Sequence, residues 1–250
     1  MEFKKEFLER LNIAKKIVFF TGAGISAESG IPTFRGKDGI WNKLKPEELA
    51  NFNAFLKNPD MVWEWYQHRK KIIHESKPNA GHFAIADFQD YFDDVVVITQ
   101  NIDNLHRRAG SKKIFELHGN IERNYCIDCG TFYNTPELEI TEGVPKCKKC
   151  GGLIRPDVVW FGEMLPEDQY TQSEKAAQAC DICFVVGTSA VVYPAAFIPL
   201  SAKQSGAYMV EINIEHTEFS YYANYSILGE AGKVLPLIVD ELKKIRAIKQ

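Results

Sequence analysis

Four cysteines lie at a spacing that is typical of a metal site. Cys126 and Cys129 form one C-x2-C pair, and Cys147 and Cys150 form a second pair after 17 intervening residues. A glycine follows each pair, and its missing Cβ suits the tight turn that the backbone makes around a metal. Four thiolates bind zinc tetrahedrally and leave no position open for water. The pattern therefore predicts one structural Zn2+ rather than a catalytic metal.

Polar and acid–base side chains follow several of the predicted strands. Gln100, Asn101 and Asp103 come after the run DVVVIT and offer amide and carboxylate groups suited to a carboxamide or a ribose. His118 follows the segment KIFEL, where an imidazole with an ordinary pKa of about 6.5 could act as a base. A hydrogen-bonded structural histidine is the alternative for His118, and His106 is the competing candidate. We favour His118 because a glycine follows it at the expected mouth of the sheet.

A glycine-rich turn, TGAGIS, follows the buried run KIVFF. Gly22 and Gly24 allow a tight turn and a close approach of the backbone to a phosphate, and Ala27 stands at the third position of G-x-G-x-x-G/A. The N–H groups and dipole at a helix start then attract an anion. The acidic residue expected at the end of a second strand is missing. Glu215, at a late strand end, could accept hydrogen bonds from a ribose in its place.

The segment WEWYQHRKK raises a separate question about its arginine. Tyr66 and Arg69 are three residues apart and share a face of the predicted helix. An arginine beside three large aromatic rings must form hydrogen bonds or reach water. One interpretation is a solvated arginine whose stem covers the rings. His68 and Lys70 are expected to point elsewhere and to be solvated.

The remaining pattern indicates an α/β fold. Continuous β-branched runs such as DVVVITQN, CDICFVVGTS and YMVEINIE alternate with amphipathic segments, which predicts a mostly parallel sheet with helices on both faces. GKVLPLIVDELKKI is expected to begin as a short strand or turn and to continue as a helix. Residues 31–78 and 124–154 break the alternation and are predicted to fold together as a small second domain. The third cysteine pair, Cys180 and Cys183, enters a β-branched run and is predicted to be core.

Composition excludes several classes of protein. The chain has 250 residues, a net charge of −3 and 25% charged residues, which are values of an ordinary soluble domain and give no general case for nucleic-acid binding. No apolar run approaches a membrane span, and we do not expect the charged N-terminal segment to be a signal peptide. Six cysteines in such a chain favour metal or redox roles over a disulfide scaffold. We expect a cytoplasmic protein that is a monomer and binds neither membranes nor nucleic acid.

The combination of motifs is far more specific than any one of them. GAGIS-x-x-SGIP-x-FRG after a strand, followed by TQNID, LHG, the cysteine pairs and GTS, resembles the sirtuins, which are NAD-dependent protein-lysine deacylases. The resemblance runs from about Lys15 to Val239. It implies a Rossmann-type parallel sheet with helices on both faces, in residues 1–30, 80–123 and 155–250. A smaller helical and zinc-ribbon domain would comprise residues 31–79 and 124–154.

The resemblance also implies a reaction and the residues that perform it. The acyl oxygen of a modified lysine attacks C1′ of the nicotinamide ribose of NAD, and the products are free lysine, nicotinamide and O-acyl-ADP-ribose. His118 matches the family's catalytic base, and Asn101 is implied to be a second catalytic residue. The residues implied to bind NAD are Gly22, Ala23, Gly24, Ser26, Ala27, Pro32, Thr33, Phe34, Arg35, Trp41, Gln100, Asn101, Ile102, Asp103, His118, Gly187, Thr188, Ser189, Asn213, Ile214, Glu215 and Ala231.

Two further features of the family concern the substrate. The segment VVWFGE resembles the strand to which the acylated peptide adds by β-augmentation, with contacts at Val159, Phe161, Gly162 and Glu163. The Tyr66–Arg69 pair resembles the class that removes succinyl and malonyl groups, in which a small side chain such as Ala50 leaves room for the longer acyl chain. A guanidinium fork and a tyrosine hydroxyl are suited to hold the acyl carboxylate.

Other functions stay open from the sequence alone. Within the family these are plain NAD-dependent lysine deacetylation and mono-ADP-ribosyl transfer. An NAD-dependent oxidoreductase would produce reduced cofactor rather than nicotinamide, and the missing second-strand acid counts against it. A non-enzymatic zinc-ribbon module on a nucleotide-sensing domain would tolerate loss of His118 and would have a markedly basic ribbon, whereas here glutamates dilute the lysines.

Overall fold

The fold is built on a six-stranded parallel sheet in the order β3-β2-β1-β7-β8-β9, with a separate three-stranded antiparallel sheet in the order β5-β4-β6. The computed structural model describes residues 1–34, 39–40, 45–135, 138 and 143–247. The strands are β1 (Lys16–Thr21), β2 (Asp94–Thr99), β3 (Ile114–Glu116), β4 (Gly119–Cys126), β5 (Phe132–Asn134), β6 (Ile154–Val158), β7 (Ile182–Val186), β8 (Tyr208–Asn213) and β9 (Tyr225–Leu228).

The helices of the described residues are α1 (Lys5–Ile13), α2 (Gly24–Ala27), α3 (Pro46–Leu49), α4 (Phe52–Lys57), α5 (Pro59–Glu75), α6 (Ala80–Asp87), α7 (Leu105–Arg108), α8 (Glu167–Ala179), α9 (Phe197–Gln204) and α10 (Ala231–Ala247). Helices α1, α6 and α10 cover one face of the parallel sheet and α8 and α9 cover the other, as the alternating pattern predicts. Among the described residues, every helix is too short or too polar to span a lipid bilayer.

The central strand β1 shows why the sheet is buried on both faces. Ile17 and Phe19 belong to a cluster that includes residues of α1, α6 and α10, while Val18 and Phe20 belong to a cluster on the other face with residues of α8 and α9. Alternate side chains of a strand point to opposite faces, so a strand covered on both faces reads as a continuous apolar run. The α/β prediction and its parallel sheet are confirmed.

The end of the chain differs from the expectation. GKVLPL is not a strand or turn but lies within α10, and the edge strand β9 just before it was not predicted. Val234, Leu235, Ile238, Val239 and Leu242 are all buried, at the spacing of one helix face. Packing of this face under the sheet decides the conformation over the local β-branched composition.

Segments 31–79 and 124–154 do contribute a second set of packed elements. The helices α4 and α5 form an apolar cluster with β4 and the end of β6, which includes Phe55, Val62 and Trp160. A smaller cluster joins Trp63 of α5 to Cys126 and Cys147. The division of the chain into two domains at the stated boundaries stays a prediction.

Candidate functional site

The carboxyl ends of four neighbouring strands meet at one edge of the parallel sheet. Thr21 of β1 is in register with Thr99 of β2 and with Val186 of β7, and Val186 is in register with Ile212 of β8. The predicted cofactor residues at or just after the ends of these strands are therefore neighbours in space: Gly22, Gln100, Gly187 and Asn213. This is the edge at which open parallel sheets bind ligands.

The glycines of the first turn are required by the close approach of two loops. The N–H of Gly24 donates to the carbonyl of Gly187 at 2.8 Å, and the N–H of Gly22 donates to Val186 at 3.1 Å. A Cβ on Gly24 would lie 2.7 Å from the Gly187 Cα, and one on Gly22 would lie 2.5 Å from the Thr188 Cβ. Gly187 itself has φ +59°. The backbone of the Gly22–Gly24 turn thus packs directly against the loop at Gly187. The predicted cofactor residues Ala23 and Ala27 belong to the same segment as this turn.

A buried hydrogen-bond network lies directly beyond this turn. Ser26 Oγ donates to Asp103 Oδ2 at 2.7 Å, and Asn101 Nδ2 donates to the carbonyl of Gly22 at 3.0 Å and to Ser26 Oγ at 3.2 Å. Asp103 Oδ1 accepts from the N–H of Leu105 at 2.9 Å. Burial raises the pKa of Asp103, while these two donors oppose that shift. The network fixes the Asn101 and Asp103 side chains relative to the glycine turn.

A second polar layer runs along the other strand ends. Gln100 Nε2 donates to Thr188 Oγ1 at 2.9 Å, and Asn213 Nδ2 donates to the Thr188 carbonyl at 3.3 Å. Ile214 and Glu215 are exposed on the following loop. Ser189 is half-buried beside Thr188, and Ala231 is buried at the start of α10. The expectation that these segments come together is met, and the role of each residue stays a prediction.

His118 has one ring nitrogen engaged by the backbone. Nδ1 lies 2.9 Å from the carbonyl oxygen of Gln100, so this nitrogen carries the proton and Nε2 holds the lone pair when the ring is neutral. Burial lowers the pKa of His118, and the bond to Gln100 opposes the shift. Gly119 follows with φ +80°, and a Cβ there would lie 2.1 Å from the Asp157 carbonyl oxygen. This glycine lets β4 start immediately after the imidazole.

The rival candidate, His106, lies in the protein interior. It is 2% exposed, its Nε2 is 2.9 Å from Thr21 Oγ1, and its ring centroid is 4.9 Å from that of His82. Burial lowers the pKa of His106 well below its ordinary value, and His82 lowers it further. Its Nδ1 is buried with no hydrogen-bond partner in the described part of the chain. The geometry supports His118, not His106, as the accessible imidazole.

Arg69 is buried, which removes the interpretation of a solvated arginine. It is 6% exposed, and its guanidinium carbon lies 4.8 Å from the Phe34 ring centroid and 5.2 Å from that of Trp65. Its Nε has no hydrogen-bond partner among the described residues. Burial lowers the pKa of Arg69, and nearby Tyr66 and Asp103 oppose that shift. A buried guanidinium with an unused donor is chemically suited to bind an anion.

Arg69 lines a cleft at this edge of the sheet. The cleft is lined by Ala23, Ser26, Ile31, Pro32, Phe34, Arg69, Ile73, Asn101, Ile102 and Asp103. It therefore brings the predicted acyl-binding arginine beside the predicted cofactor residues. The carbonyl of Thr33 accepts from the N–H of Ile40 at 2.9 Å. Arg35 and Trp41, which were also predicted to bind NAD, lie outside the described residues.

Tyr66 and Ala50 lie in one buried apolar cluster with Trp160. The Tyr66 hydroxyl accepts a hydrogen bond from Trp160 Nε1 at 2.7 Å, and burial raises the pKa of Tyr66 to about 12. The tyrosine therefore stays protonated at neutral pH.

Lys70, the residue after Arg69, is not solvated, contrary to the expectation from the sequence. It donates to Asn124 Oδ1 at 2.5 Å, and burial lowers its pKa to about 8.

The predicted peptide-binding segment is a turn rather than a strand. β6 ends at Val158, and the N–H of Glu163 donates to the carbonyl of Trp160. The N–H of Val159 donates to the carbonyl of His118 at 3.0 Å, and that of Phe161 donates to Ala50 at 2.9 Å. The prediction of a strand is wrong beyond Val158, where β6 ends. There the Trp160 N–H donates to the Glu163 side chain, and the backbone turns instead of continuing as a strand. Gly162 has φ +88° at this turn. The peptide contacts themselves stay a prediction.

The four cysteines of the two pairs form one cluster. Their sulfur atoms all lie within 4.8 Å of one another, with Cys126 Sγ 3.4 Å from Cys150 Sγ and Cys129 Sγ 3.6 Å from Cys147 Sγ. A tetrahedral zinc with Zn–S bonds of about 2.3 Å places its sulfurs roughly 3.8 Å apart. The cluster therefore fits a structural zinc. Cys180 and Cys183 are buried in the sheet core, as predicted.

Comparison with known proteins identifies the family. The sequence model described as the Sir2 family matches residues 22–194. The chain belongs to the Sir2 family. An NAD-dependent protein deacylase 2 of Pyrobaculum aerophilum is 50% identical over 231 residues, which are 92% of this chain and 92% of that protein. The resemblance to the sirtuins is thereby confirmed.

Solved sirtuin structures agree over nearly the whole chain. A mutant Sir2 homologue in complex with ADP ribose has a TM-score of 0.96 and 43% identity, covering 99% of this chain and 100% of that chain. A complex of Sir2 with a p53 peptide and NAD+ has a TM-score of 0.86 and 36% identity, with coverage of 96% and 98%. The Rossmann-type fold with its small zinc-ribbon unit is thus that of a sirtuin.

Some residues that shape this sirtuin site escaped the sequence reasoning. Arg155 is 2% exposed and stacks on Trp160, and Thr21 bonds to Thr99 at 2.9 Å and to His106. A threonine ending β1 and an arginine inside β6 are ordinary strand residues. Only the polar character of Arg155 within an apolar segment, GGLIRPDVVW, could have indicated a buried partner.

Proposed function

We propose that the protein is an NAD-dependent protein-lysine deacylase that favours acyl groups ending in a carboxylate, such as succinyl and malonyl. The observation that carries the reaction is the half-buried His118 at the polar strand ends, whose Nδ1 is bonded to Gln100 so that Nε2 holds the lone pair. Its backbone carbonyl accepts from the N–H of Val159, in the predicted peptide-binding segment. The observation that carries the acyl preference is the buried Arg69, whose Nε–H has no hydrogen-bond partner among the described residues.

The polar strand ends supply what NAD requires. The glycine turn at Gly22 and Gly24 lets the backbone approach a pyrophosphate, and Asn213 and Glu215 offer oxygens to ribose hydroxyls. Asn101 is held by Gly22 and Ser26 at the inner end of the cleft, where its amide can orient a carboxamide or a water. NAD, when bound, supplies the electrophilic C1′ carbon that accepts the acyl oxygen as nicotinamide leaves.

His118 is built to act as a base at neutral pH. Its Nδ1–H donates to the Gln100 carbonyl, so the ring is held in the tautomer with its lone pair on Nε2. Burial lowers the pKa of His118, which keeps the ring neutral at pH 7 and ready to accept a proton from a ribose hydroxyl. Because the Val159 N–H bonds to the His118 carbonyl, a peptide bound along this segment brings its lysine to the same place.

The acyl preference follows from two donors on one helix face. Val62, Tyr66, Arg69 and Ile73 form a buried stripe of α5, and Ala50 lies in the same cluster as Tyr66. A succinyl carboxylate could accept from the Arg69 guanidinium and from the Tyr66 hydroxyl. Charge-assisted bonds of this kind contribute about 1.5–3 kcal/mol each. An acetyl group would leave the same donors without an acceptor.

The zinc cluster has no place in this chemistry. All four ligand positions are cysteine sulfurs, so a bound zinc has no open site for water or substrate. The cluster packs against Trp63 of α5, the helix that also carries Tyr66 and Arg69. The zinc would thus support the helix that carries Tyr66 and Arg69 through its contact with Trp63.

The products test the reaction directly. Wild-type protein and His118→Ala are incubated with an acylated peptide and NAD, and the peptide mass, nicotinamide release and absorbance at the wavelength of reduced NAD are followed. We expect wild type to release one nicotinamide per lysine freed, to form no reduced NAD, and to lose most of this activity in His118→Ala. Reduced NAD without nicotinamide would mean an oxidoreductase, and full activity of His118→Ala would remove this histidine from the reaction.

A further inference from the structure

Trp160 contacts the proposed acyl site through its indole nitrogen. The Nε1–H donates to the Tyr66 hydroxyl oxygen at 2.7 Å, across 94 residues of sequence. Trp160 and Tyr66 are each 2% exposed, so water does not compete for this bond. The indole and phenol rings lie 6.2 Å apart in a tilted arrangement. A residue of the turn after β6 therefore determines how a side chain on α5 uses its hydroxyl.

The bond leaves the Tyr66 proton only certain directions. A phenol hydroxyl has one proton and lone pairs that accept, and here one lone pair faces the indole N–H. The proton must point away from Trp160, since two hydrogens cannot face each other. In the described part of the chain, the bond from Trp160 is the one hydrogen bond that involves this hydroxyl. The Tyr66 hydroxyl is thus held so that its proton can be donated, about one helical turn from Arg69, and among the described residues no group accepts that proton.

The indole is itself held by an ion pair. The Arg155 guanidinium carbon lies 3.4 Å from the Trp160 ring centroid, and its Nη2 donates to the Val158 carbonyl at 2.8 Å. Arg155 also donates to both carboxylate oxygens of Glu163. Glu163 in turn accepts from the backbone N–H of Trp160 at 2.7 Å. The ring is stacked on a cation on one face, and its backbone is tied to the same carboxylate.

We propose that Trp160 is a positioning residue for acyl specificity, which holds the Tyr66 hydroxyl as a donor toward an acyl carboxylate, with Arg155 and Glu163 fixing the indole. This inference rests on the proposed preference for acidic acyl groups. A carboxylate offers only acceptors to the site, so a tyrosine held as donor matches it and a tyrosine free to rotate matches it less well. An acetyl methyl group gains nothing from the orientation. Loss of the indole N–H should therefore weaken succinyl removal more than acetyl removal.

A double-mutant cycle tests the proposal. The ratio of kcat/KM for succinyl-lysine to that for acetyl-lysine is measured on one peptide with wild type, Trp160→Phe, Tyr66→Phe and the double variant. We expect Trp160→Phe to lower this ratio by about three- to tenfold, the range for one neutral hydrogen bond. We expect the ratio of the double variant to equal that of Tyr66→Phe, because without the hydroxyl the indole N–H has nothing to orient. A general disturbance of the turn would lower both substrates together and leave the ratio unchanged.

Two results would overturn the inference while leaving the proposed function intact. One is a succinyl-to-acetyl ratio in Trp160→Phe that equals the wild-type ratio. The other is that Trp160→Phe lowers this ratio by the same factor whether position 66 is tyrosine or phenylalanine. Wild type with no succinyl removal at all would overturn the acyl preference and this inference together. If Trp160→Phe fails to fold, 3-benzothienylalanine at position 160 keeps the bicyclic shape, replaces the N–H by sulfur and serves the same cycle.

Discussion

Acid sensitivity of the fold is predicted to come in part from one buried histidine. His82 is fully buried, its Nδ1 accepts from the N–H of Asn79 at 3.3 Å, and its Nε2 lies 3.5 Å from Ser26 Oγ. No carboxylate bonds to either nitrogen among the described residues. Burial lowers the pKa of His82 to about 4. The folded protein thus holds this ring neutral where an exposed histidine would be protonated.

The magnitude follows from the two pKa values. Histidine in the unfolded chain has a pKa of about 6.5. Between pH 6.5 and 4, His82 is protonated in the unfolded chain but neutral in the folded chain. The free energy of unfolding therefore falls as the pH falls. For these values the loss between pH 7 and pH 5 is about 2 kcal/mol from His82 alone. His106, whose pKa is also lowered by burial, adds to the loss in the same direction.

The substitution His82→Gln isolates the contribution of His82 to the loss of free energy of unfolding. Glutamine at the third helical position can accept the Asn79 N–H as the histidine does, so the start of α6 keeps its cap, but it cannot titrate. Urea unfolding of both proteins is followed by circular dichroism at pH 7 and pH 5. We expect the variant to lose about 2 kcal/mol less than wild type over this interval. His74→Gln, at an exposed position of α5, is the control and should behave like wild type.

The refuting result is a parallel loss. If wild type and His82→Gln lose the same free energy between pH 7 and pH 5, then His82 is either protonated in the fold or reached by water. The claim that burial keeps it neutral would be wrong. The zinc ligands also titrate in acid, but both proteins contain the same cysteines, so their share cancels in the difference.

Three further predictions concern the site and the metal. The acid limb of kcat/KM should have its midpoint below about pH 6.5, because burial lowers the pKa of His118, and a midpoint above that value would contradict this. Gly24→Ala should weaken NAD binding measured by calorimetry and lower stability by about 1–3 kcal/mol, because its Cβ would meet Gly187 backbone at 2.7 Å. Unaltered binding and stability would show that the loops part freely. A strong chelator should release one zinc per chain and make the four cluster cysteines reactive to a thiol reagent, while Cys180 and Cys183 stay protected until unfolding. Six thiols reacting at one rate would contradict that division.

The sequence was most informative where a local pattern carries the structure. β1 is predictable because both of its faces are buried, and the cysteine cluster is predictable because ligand spacing is set by tetrahedral zinc. The convergence of Gln100, Gly187 and Asn213 follows from parallel register, since the ends of such strands must meet at one edge.

Long-range contacts were less predictable. The four-residue edge strand β9 has too few residues to show alternation, and α10 is decided by packing under the sheet. Lys70 is buried because Asn124, on β4, offers an acceptor that its own helix does not reveal. The Trp160–Tyr66 bond joins two segments that have no sequence relation. Such contacts depend on how the zinc-ribbon and helical segments pack, and no local period encodes that packing.

The central claim is that Arg69 binds the carboxylate of the acyl group, and a paired assay tests it most directly. One peptide is offered with succinyl-lysine and with acetyl-lysine, together with NAD, to wild type, Arg69→Met and Lys71→Met, and both product peptides are followed by mass. Lys71→Met removes one positive charge from an exposed position of the same helix and controls for charge alone.

We expect wild type and Lys71→Met to remove succinyl in preference to acetyl. Arg69→Met should lose succinyl removal by at least about tenfold more than acetyl removal, as expected when a charge-assisted bond of about 1.5–3 kcal/mol is lost. If wild type and Arg69→Met instead show the same ratio of succinyl to acetyl removal, Arg69 does not bind the acyl carboxylate. The deacylase would then stand without its proposed acyl preference.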